Sequence, residues 1–282
     1  MSGAQAHTFD AEIRKANRNR AKAGRSIIFK IKRCDGPGKP ERWESFKVPI
    51  EPGSNVISCL KWIAAHPVTT DGKQTTPVVW DSGCLEEVCG ACTMVINGRV
   101  RQSCSCLIDE HAPDDAQVMT LEPMSKFPII RDLWVDRERM FDALKRVKAW
   151  VPIDGTYNLG AGPQETPQQQ QTRYALSECM TCGCCLEACP QYLKKDDPAD
   201  WDTAFIGAQA ISQARLFNKH ETGKRLKADR LNELMGPGGI TDCGNAQNCV
   251  KICPKGIPLT ESLADIGLST TVHAFTKYFK GS

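Results

Sequence analysis

The chain has 282 residues, a net charge of +3 and 41% hydrophobic residues, which favours two ordinary globular domains. So small a charge gives no support for nucleic-acid binding, and no apolar stretch is long enough to span a bilayer, so membrane contact is expected only at the periphery or through a partner. The 15 cysteines lie in tight groups without an apolar signal segment before them, which favours metal binding in a reducing compartment over disulfides.

The first 25 residues are predicted to form a basic extension. Lysine and arginine are frequent between Arg14 and Arg25. We interpret this segment as a solvated extension or a partner-docking arm rather than a nucleic-acid patch.

The elements that follow have the order of a small α+β domain. Near alternation of apolar and polar residues predicts a strand at Ser26–Arg33, and a Gly- and Pro-rich turn separates it from a second strand at Trp43–Ile50. Helical spacing of apolar residues predicts a helix at Asn55–Ala65, ended by a His-Pro pair. A short apolar strand is predicted at Pro77–Asp81, directly before the first group of cysteines.

That first group has the spacing of a plant-type [2Fe–2S] site. Cys84, Cys89 and Cys92 are separated by four and then two residues, and this pattern requires a more distant fourth ligand. Gly83 and Gly90 allow the backbone to pass close to a cluster, where its N–H groups can donate to sulfur.

A predicted hairpin with an Asn-Gly turn, Thr93–Ile96 and Arg99–Gln102, returns the chain towards this site. It supplies two candidates for the fourth ligand, Cys104 and Cys106. Because they are two residues apart on a strand they face the same side, and spacing leaves the choice open.

The second half of the chain is predicted to be mainly helical. A closing strand is predicted at Val118–Leu121, and Gly, Pro and Gln residues predict a linker or surface loop at 152–171. Apolar periodicity predicts helices at Asp136–Trp150, Ala204–Asn218, Lys224–Met235 and from Pro258 towards Lys280. The last helix ends in aromatic and lysine residues, which suits a membrane-interface or subunit contact as well as a core-packing tail.

The cysteine run closed by Pro190 is typical of bacterial-type ferredoxins. Its cysteines are two, two and three residues apart, and in this pattern the fourth cysteine ligates a different cluster from the first three. Cys184 lies outside the register and is predicted to be a buried non-ligand.

A second run closed by Pro254 has the same spacing, with Ala246 in place of its second cysteine. Pairing the two runs crosswise predicts two sets: Cys179, Cys182, Cys185 and Cys253 for a [4Fe–4S] cluster, and Cys189, Cys243 and Cys249 for a [3Fe–4S] cluster. A pair of structural zinc sites is the alternative, but zinc prefers closed sets of four ligands and the second set has three.

One two-iron site followed by crossed four-iron and three-iron sites resembles the iron–sulfur subunit of succinate dehydrogenase and fumarate reductase, that is, of respiratory complex II. The motifs that carry the resemblance are CLEEVCGACTMVINGRVRQSC, CMTCGCCLEACP and CGNAQNCVKICPKG. In this family the fourth two-iron ligand matches Cys104.

The resemblance implies the fold. We expect an α+β protein with an N-terminal plant-type ferredoxin β-grasp domain at 26–133 and a C-terminal α-helical, bacterial-ferredoxin-like domain at 134–282. The first would dock on an FAD-containing flavoprotein and the second on a membrane-anchor cytochrome b, which would hold the protein at the cytoplasmic face of the membrane as a peripheral subunit.

The resemblance also implies the path of electrons, from FAD through the [2Fe–2S], [4Fe–4S] and [3Fe–4S] clusters to haem b or quinone. No dinucleotide fingerprint and no acid–base constellation is present, so no catalytic residue is predicted and substrate chemistry is expected on another chain. The alternatives are a fumarate reductase subunit working in reverse, a zinc-stabilised interaction module without redox activity, and a free soluble ferredoxin.

The motifs LEEVCGACTMVINGRVRQSC and MTCG-x-C-LEACP look most like the menaquinone-type branch of the family, whose anchor is a single di-haem cytochrome b. Where the ubiquinone branch has a histidine and a tryptophan in its quinone pocket, this chain has Gly244 and Lys194, while Pro190 is retained. Loss of the imidazole and the indole removes a hydrogen-bond donor and an aromatic wall, so menaquinone is expected to bind mainly through the anchor.

Overall fold

The computed structural model describes residues 25–114, 117–152, 164–194, 201 and 203–280. These residues pack into two compact units. One contains the described residues up to Met124 together with Pro128–Asp136, and the other contains Ser125–Phe127 and the described residues from Arg137 onward. The domain limits expected from the sequence, 26–133 and 134–282, remain a prediction.

The first unit is built on a five-stranded sheet with the order β2-β1-β5-β3-β4. β1 and β5 run parallel, with Ile28 opposite Val118, and the other neighbours are antiparallel. A two-stranded hairpin, β6-β7, follows it. The strands are β1 Ser26–Arg33, β2 Arg42–Pro49, β3 Thr93–Ile96, β4 Arg99–Gln102, β5 Val118–Glu122, β6 Ile129–Arg131 and β7 Trp134–Val135.

Alternation along β1 explains the core of this unit. Ile27, Phe29 and Ile31 are fully buried on one side of the sheet, as the period of a half-buried strand predicts. Helix α1, Val56–Ala65, packs its apolar residues into the same core, and Asn55 caps its first turn through a capping box. A single helical turn, α2, lies at Ile108–His111. The predicted α+β arrangement is confirmed here.

Two predictions in this unit are wrong. Pro77–Asp81 forms no strand, because Val79 bonds to the β6-β7 turn: its N–H donates to Asp132 Oδ2 at 3.0 Å, and its carbonyl accepts from Leu133 N at 3.1 Å. Arg25 is not part of a solvated extension, since it is buried and forms an ion pair with Asp109 at 3.1 Å. The rest of the predicted extension, 1–24, lies outside the described residues.

The second unit is helical. Its helices are α3 Glu138–Arg146, α4 Pro167–Ser177, α5 Cys184–Glu187, α6 Ala208–Lys219, α7 Lys227–Leu234, α8 Asn248–Ile252 and α9 Leu259–Lys280. Short 3₁₀ turns occur at Gly223–Leu226 and Ile240–Asp242. Apolar residues from α3, α6, α7 and α9 form one core, which includes Ile211, Leu234 and Ile266. The predicted C-terminal helical domain is confirmed.

The predicted linker at 152–171 is partly wrong. Residues 153–163 lie outside the described residues, but α4 begins at Pro167 within the predicted linker. Thr166 is its N-cap: the hydroxyl accepts from Gln169 N, and the Gln169 side chain accepts from Thr166 N. Proline at the first helical position has no N–H to lose, so this Pro- and Gln-rich segment starts a helix.

The last helix, α9, changes character along its length. Ile266 near its beginning is buried, whereas Tyr278 and Phe279 at its end are 81% and 77% exposed. The aromatic end therefore does not pack into a core formed by described residues. Across the part of the chain that the structure describes, no helix is both long enough and apolar enough to cross a membrane.

Candidate functional site

The loop that carries the first three cysteines aims backbone N–H groups at sulfur. The N–H groups of Glu86, Val88 and Cys89 donate to Cys84 Sγ at 3.4, 3.2 and 3.3 Å. These donors lower the pKa of the Cys84 thiol to about 7. Leu85 and Glu87 have φ angles of 62° and 56°, and this left-handed backbone turns successive N–H groups to one side. The loop is thus prepared to hold negatively charged sulfur.

Cys104 lies at this loop. Its Sγ accepts from Glu87 N at 3.3 Å, although it follows β4 in sequence. Cys89 Sγ accepts from the N–H groups of Cys84 and Ala91 at 3.3 and 3.5 Å. A Cβ atom on Gly83 would lie 3.1 Å from Cys89 Sγ, so any larger residue at this position would crowd the sulfur.

Cys92 belongs with Cys104, and Cys106 does not. Burial raises the pKa of the Cys92 thiol to about 12, and its thiol interacts directly with that of Cys104. Burial also raises the pKa of Cys106 to about 12, but this thiol lies near Arg101 and Cys59. The geometry places Cys104 at the loop and Cys106 beside Arg101 and Cys59. Cys59 and Cys34 are buried packing thiols.

Five cysteines of the second unit line one cavity: Cys179, Cys182, Cys184, Cys185 and Cys253. Four of them are the set that crosswise pairing of the two runs predicts. The fifth, Cys184, is buried as predicted, and it also lies against the cavity. Left-handed backbone at Thr181 and Gly183 shapes the loop that carries this set.

The electrostatics of this cavity disfavour free thiolates. Burial raises the pKa of Cys185 well above its ordinary value, and the neighbouring Cys182, Cys179 and Cys253 raise it further. Burial likewise raises the pKa values of Cys179 and Cys253. Converging thiols in an apolar pocket ionise together only when positive charge is brought in, as iron ions do. The residues therefore fit a multi-iron cluster.

The three remaining cysteines of the two runs line a second cavity: Cys189, Cys243 and Cys249. Ala246 lines the same cavity, at the place where the spacing would put a fourth ligand. Left-handed backbone at Asn245 and Gln247 shapes this loop. The structure thus brings together the predicted three-cysteine set. Among the described residues, no group of three or more His, Cys, Asp or Glu side chains is arranged around a single metal-ion position.

Each of the two cysteine runs contributes ligand candidates to both cavities. The run through α5 sends Cys185 to the first cavity and Cys189 to the second, and the run through α8 sends Cys249 to the second and Cys253 to the first. This is the crossed arrangement that the two Cys-Pro motifs predict.

Sequence reasoning missed polar residues at both cavities. Neighbouring residues at the beginning of α6, Ala208 and Gln209, line the second and the first cavity respectively. Gln191 lines the second cavity beside Gly244. A glutamine within an amphipathic helix carries no sequence signal for such a role, and only the packing of α6 against the cysteine loops identifies Gln209.

Comparisons with known proteins agree with this geometry. Residues 28–142 match the family described as a 2Fe-2S iron-sulfur cluster binding domain, and residues 175–257 match a 4Fe-4S dicluster domain. The chain is 52% identical over 255 residues to the succinate dehydrogenase iron-sulfur subunit of Bacillus subtilis, with 90% of this chain and 96% of that protein covered.

More distant relatives also match over most of the chain. The fumarate reductase iron-sulfur subunit of Mycobacterium tuberculosis is 29% identical, with 83% of this chain and 88% of the relative covered, and that of Wolinella succinogenes is 26% identical, with 84% and 92% covered. A chain of the Mycobacterium smegmatis Sdh1 complex in the apo form has the same fold, with a TM-score of 0.71, 18% identity, and coverage of 90% of this chain and 98% of that chain. The chain therefore belongs to the family of succinate dehydrogenase and fumarate reductase iron–sulfur subunits.

Proposed function

We propose that this chain is the electron-transfer subunit of a succinate:quinone oxidoreductase, which takes electrons from the oxidation of succinate to fumarate and delivers them to a membrane anchor. The observation that carries the proposal is 52% identity, over 90% of this chain, to a succinate dehydrogenase iron-sulfur subunit. The substrate chemistry belongs to an FAD-containing partner subunit, and this chain supplies no catalytic residue.

The proposed ligands follow the sets that the structure brings together. Cys84, Cys89, Cys92 and Cys104 would hold a [2Fe–2S] cluster; Cys179, Cys182, Cys185 and Cys253 a [4Fe–4S] cluster; and Cys189, Cys243 and Cys249 a [3Fe–4S] cluster. Such clusters supply one-electron centres, which are needed to join a two-electron flavin oxidation to a quinone.

The chain's own residues prepare these sites in two ways. Backbone N–H groups around Cys84 favour negatively charged sulfur in the first unit. In the second unit, burial of Cys185 and Cys249 keeps the sulfurs away from water. The crossed runs support short electron steps between the two cavities, because the segment Cys185–Cys189 reaches both.

The proposed acceptor is a membrane-anchor cytochrome b with haem b, and menaquinone is reached through that anchor. Gly244 and Lys194 support this proposal, because they replace the imidazole and indole of a ubiquinone pocket beside the three-cysteine cavity. On this proposal the subunit is peripheral, held by the anchor at the cytoplasmic face of the membrane.

Fumarate reduction is the second candidate, since the relatives that are 26% and 29% identical are fumarate reductase subunits. The much higher identity to a succinate dehydrogenase subunit favours succinate oxidation. The direction can be measured as the ratio of succinate oxidation to fumarate reduction by the purified complex with a menaquinone analogue. Succinate oxidation should be the faster reaction.

Iron and acid-labile sulfide analysis of the intact complex tests the cluster assignment. Two-iron, four-iron and three-iron clusters require about nine irons per copy of this chain, together with a brown visible spectrum. A reproducible value near four irons, or a colourless protein with stoichiometric zinc, would contradict the assignment. The intact complex is the right sample, because cluster loss and unfolding are coupled in small metal-binding domains.

A further inference from the structure

One buried amide in the second unit has no hydrogen-bond partner. Gln209 is 1% exposed, and neither its Nε2 nor its Oε1 forms a hydrogen bond with any described residue. Buried side-chain polar atoms are almost always hydrogen-bonded, so an amide with both ends unsatisfied points to a missing partner. Gln209 lines the cavity of Cys179, Cys182, Cys185 and Cys253.

Packing holds Gln209 at that cavity. Gly207, the N-cap of α6, has a φ angle of 92°, and a Cβ atom there would lie 2.2 Å from Leu186 Cδ2. Only a glycine lets the beginning of α6 approach the residue that follows Cys185 so closely. Gln209 is therefore fixed two residues after this contact, within the first turn of a 12-residue helix.

The same side of α6 makes a second contact with this set of sulfurs. Gln213, one turn after Gln209, lies near the thiol of Cys179, since its side chain acts to lower the pKa of that thiol against the larger effect of burial. Residues four apart lie on one face of a helix, so α6 presents two amides, one above the other, to the four-cysteine site.

We propose that Gln209 donates a hydrogen bond from Nε2 to a sulfur of the cluster held by the four cysteines, and that this bond raises the cluster's reduction potential. The inference rests on the proposed function, which puts a [4Fe–4S] cluster in this cavity. A donor stabilises the reduced cluster more than the oxidised one, because the reduced form carries one more negative charge. The beginning of α6 adds the positive end of its helix dipole in the same direction.

The test is a redox titration of the purified complex, followed by EPR, in which the four-iron centre of the unsubstituted protein is compared with that of Gln209→Leu. Leucine has similar volume and no donor. The substitution should shift the one-electron equilibrium about tenfold towards the oxidised cluster, which corresponds to a potential lower by about 59 mV. Gln209→Glu should lower it further, because a carboxylate adds negative charge.

Electron–nuclear double resonance on the reduced centre gives a second readout. Gln209→Leu should lose one exchangeable proton coupling that the unsubstituted protein shows after exchange between H₂O and D₂O. Gln191→Leu is the matched control, since it makes the same chemical change beside the other cavity. The control should keep both the potential and the proton coupling of the four-iron centre.

The outcomes separate this inference from the function on which it rests. If the unsubstituted complex shows no four-iron signal, the proposed function is wrong. If that signal is present but Gln209→Leu shifts the equilibrium by less than twofold and keeps the proton coupling, Gln209 is a packing residue and the inference is wrong. Gln209→Met, a flexible replacement of similar length, gives the same comparison if the leucine variant does not assemble.

Discussion

The guanidinium of Arg33 and the carboxylate of Asp132 form an ion pair in which neither side chain is exposed to solvent, with 2.9 Å between Nε and Oδ1. Asp132 also accepts hydrogen bonds from Cys34 N at 3.1 Å and Val79 N at 3.0 Å. One carboxylate thus joins the end of β1, the β6-β7 turn and the segment that leads to Cys84. Satisfaction of both oxygens makes a fully buried charge tolerable.

We predict that Asp132→Ala strongly destabilises the first unit. The buried Arg33 guanidinium would keep its ion pair with Glu44 but lose Asp132, and the N–H groups of Cys34 and Val79 would lose their acceptor, which costs roughly 1–3 kcal/mol for each buried group left unsatisfied. In a urea titration of the purified complex, the two-iron EPR signal should be lost at a clearly lower concentration. Asp35→Ala is the control, because Asp35 forms an exposed ion pair with Arg42, and it should leave the midpoint unchanged. Equal midpoints for Asp132→Ala and the unsubstituted protein would contradict the prediction.

Much of this unit could be predicted from the sequence because its signals are local. The strands Ser26–Arg33 and Thr93–Ile96 have the predicted limits, since alternation and an Asn-Gly turn fix them. Pro77–Asp81 has the apolar content of a strand, yet its backbone bonds to Asp132, a residue more than fifty positions away. No local pattern contains that partner, so the sequence predicted a strand where the chain forms none.

The sites likewise contain features that the sequence predicts and features that depend on contacts between distant residues. Crosswise pairing of two Cys-Pro runs predicted which cysteines share each cavity. In this spacing the last cysteine of each run belongs with the earlier cysteines of the other run. The choice between Cys104 and Cys106 was left open by spacing, and the contact from Glu87 N to Cys104 Sγ shows which of them reaches the loop. Gln209 could not be predicted, since its position depends on the packing of Gly207 against Leu186.

The stability of the first unit should depend on pH through His111. Burial, together with the Arg101 and Arg99 cations, lowers the pKa of His111 from 6.5 to about 4. Between these two values the unfolded chain binds more protons than the folded chain, so the free energy of unfolding falls as pH falls. Above pH 6.5 both states are neutral at this residue, and its contribution is fully present and constant.

His111→Gln removes this titration. The thermal midpoint of the two-iron domain in the complex, followed by its visible absorption, should therefore fall less between pH 7 and pH 5 in the variant than in the unsubstituted protein. The exposed histidine variant His66→Gln should keep the unsubstituted pH dependence. A pH dependence that is identical with and without His111 would show that this residue is not the source.

Ala246→Cys should change the cluster in the second cavity. Ala246 lines the cavity at the position of the missing ligand, so a thiolate there would complete a set of four with Cys189, Cys243 and Cys249. A four-iron cluster should replace the three-iron cluster, and the added negative charge should lower its potential. Each lowering of about 59 mV shifts a one-electron equilibrium tenfold. Electron delivery to quinone should slow while flavin reduction by succinate continues.

EPR of the oxidised complex measures this change directly, because the three-iron signal should disappear. Ala246→Ser is the control, because serine adds a hydroxyl group where cysteine would add a thiol of similar size. This variant should keep the three-iron signal. An unchanged three-iron signal in Ala246→Cys, in protein that is folded and loaded with iron, would contradict the assignment of Ala246.

The space beside Gly244, next to the second cavity, is filled by a side chain that the sequence does not indicate. A Cβ atom on Gly244 would lie 2.5 Å from Gln191 Nε2, so the Gln191 amide occupies the space that a side chain at residue 244 would need. The sequence predicted that replacement of histidine by Gly244 removes a hydrogen-bond donor. The structure shows a donor from a different residue in the same place, which makes Gln191 the residue to test for quinone binding at this chain.

We predict that Gln191→Leu leaves the acceptor reaction unchanged, because menaquinone is proposed to bind through the anchor. The purified complex is reduced with succinate while haem b and quinone are followed together, with naphthoquinone and benzoquinone analogues offered in turn. Haem should be reduced at the unsubstituted rate, and naphthoquinone turnover should stay within about twofold, a change of under about 0.5 kcal/mol in barrier. Gln168→Leu, an exposed glutamine on α4, controls for the substitution itself. A tenfold loss of quinone turnover in Gln191→Leu alone, with haem reduction intact, would place a quinone against this chain and contradict the proposed acceptor.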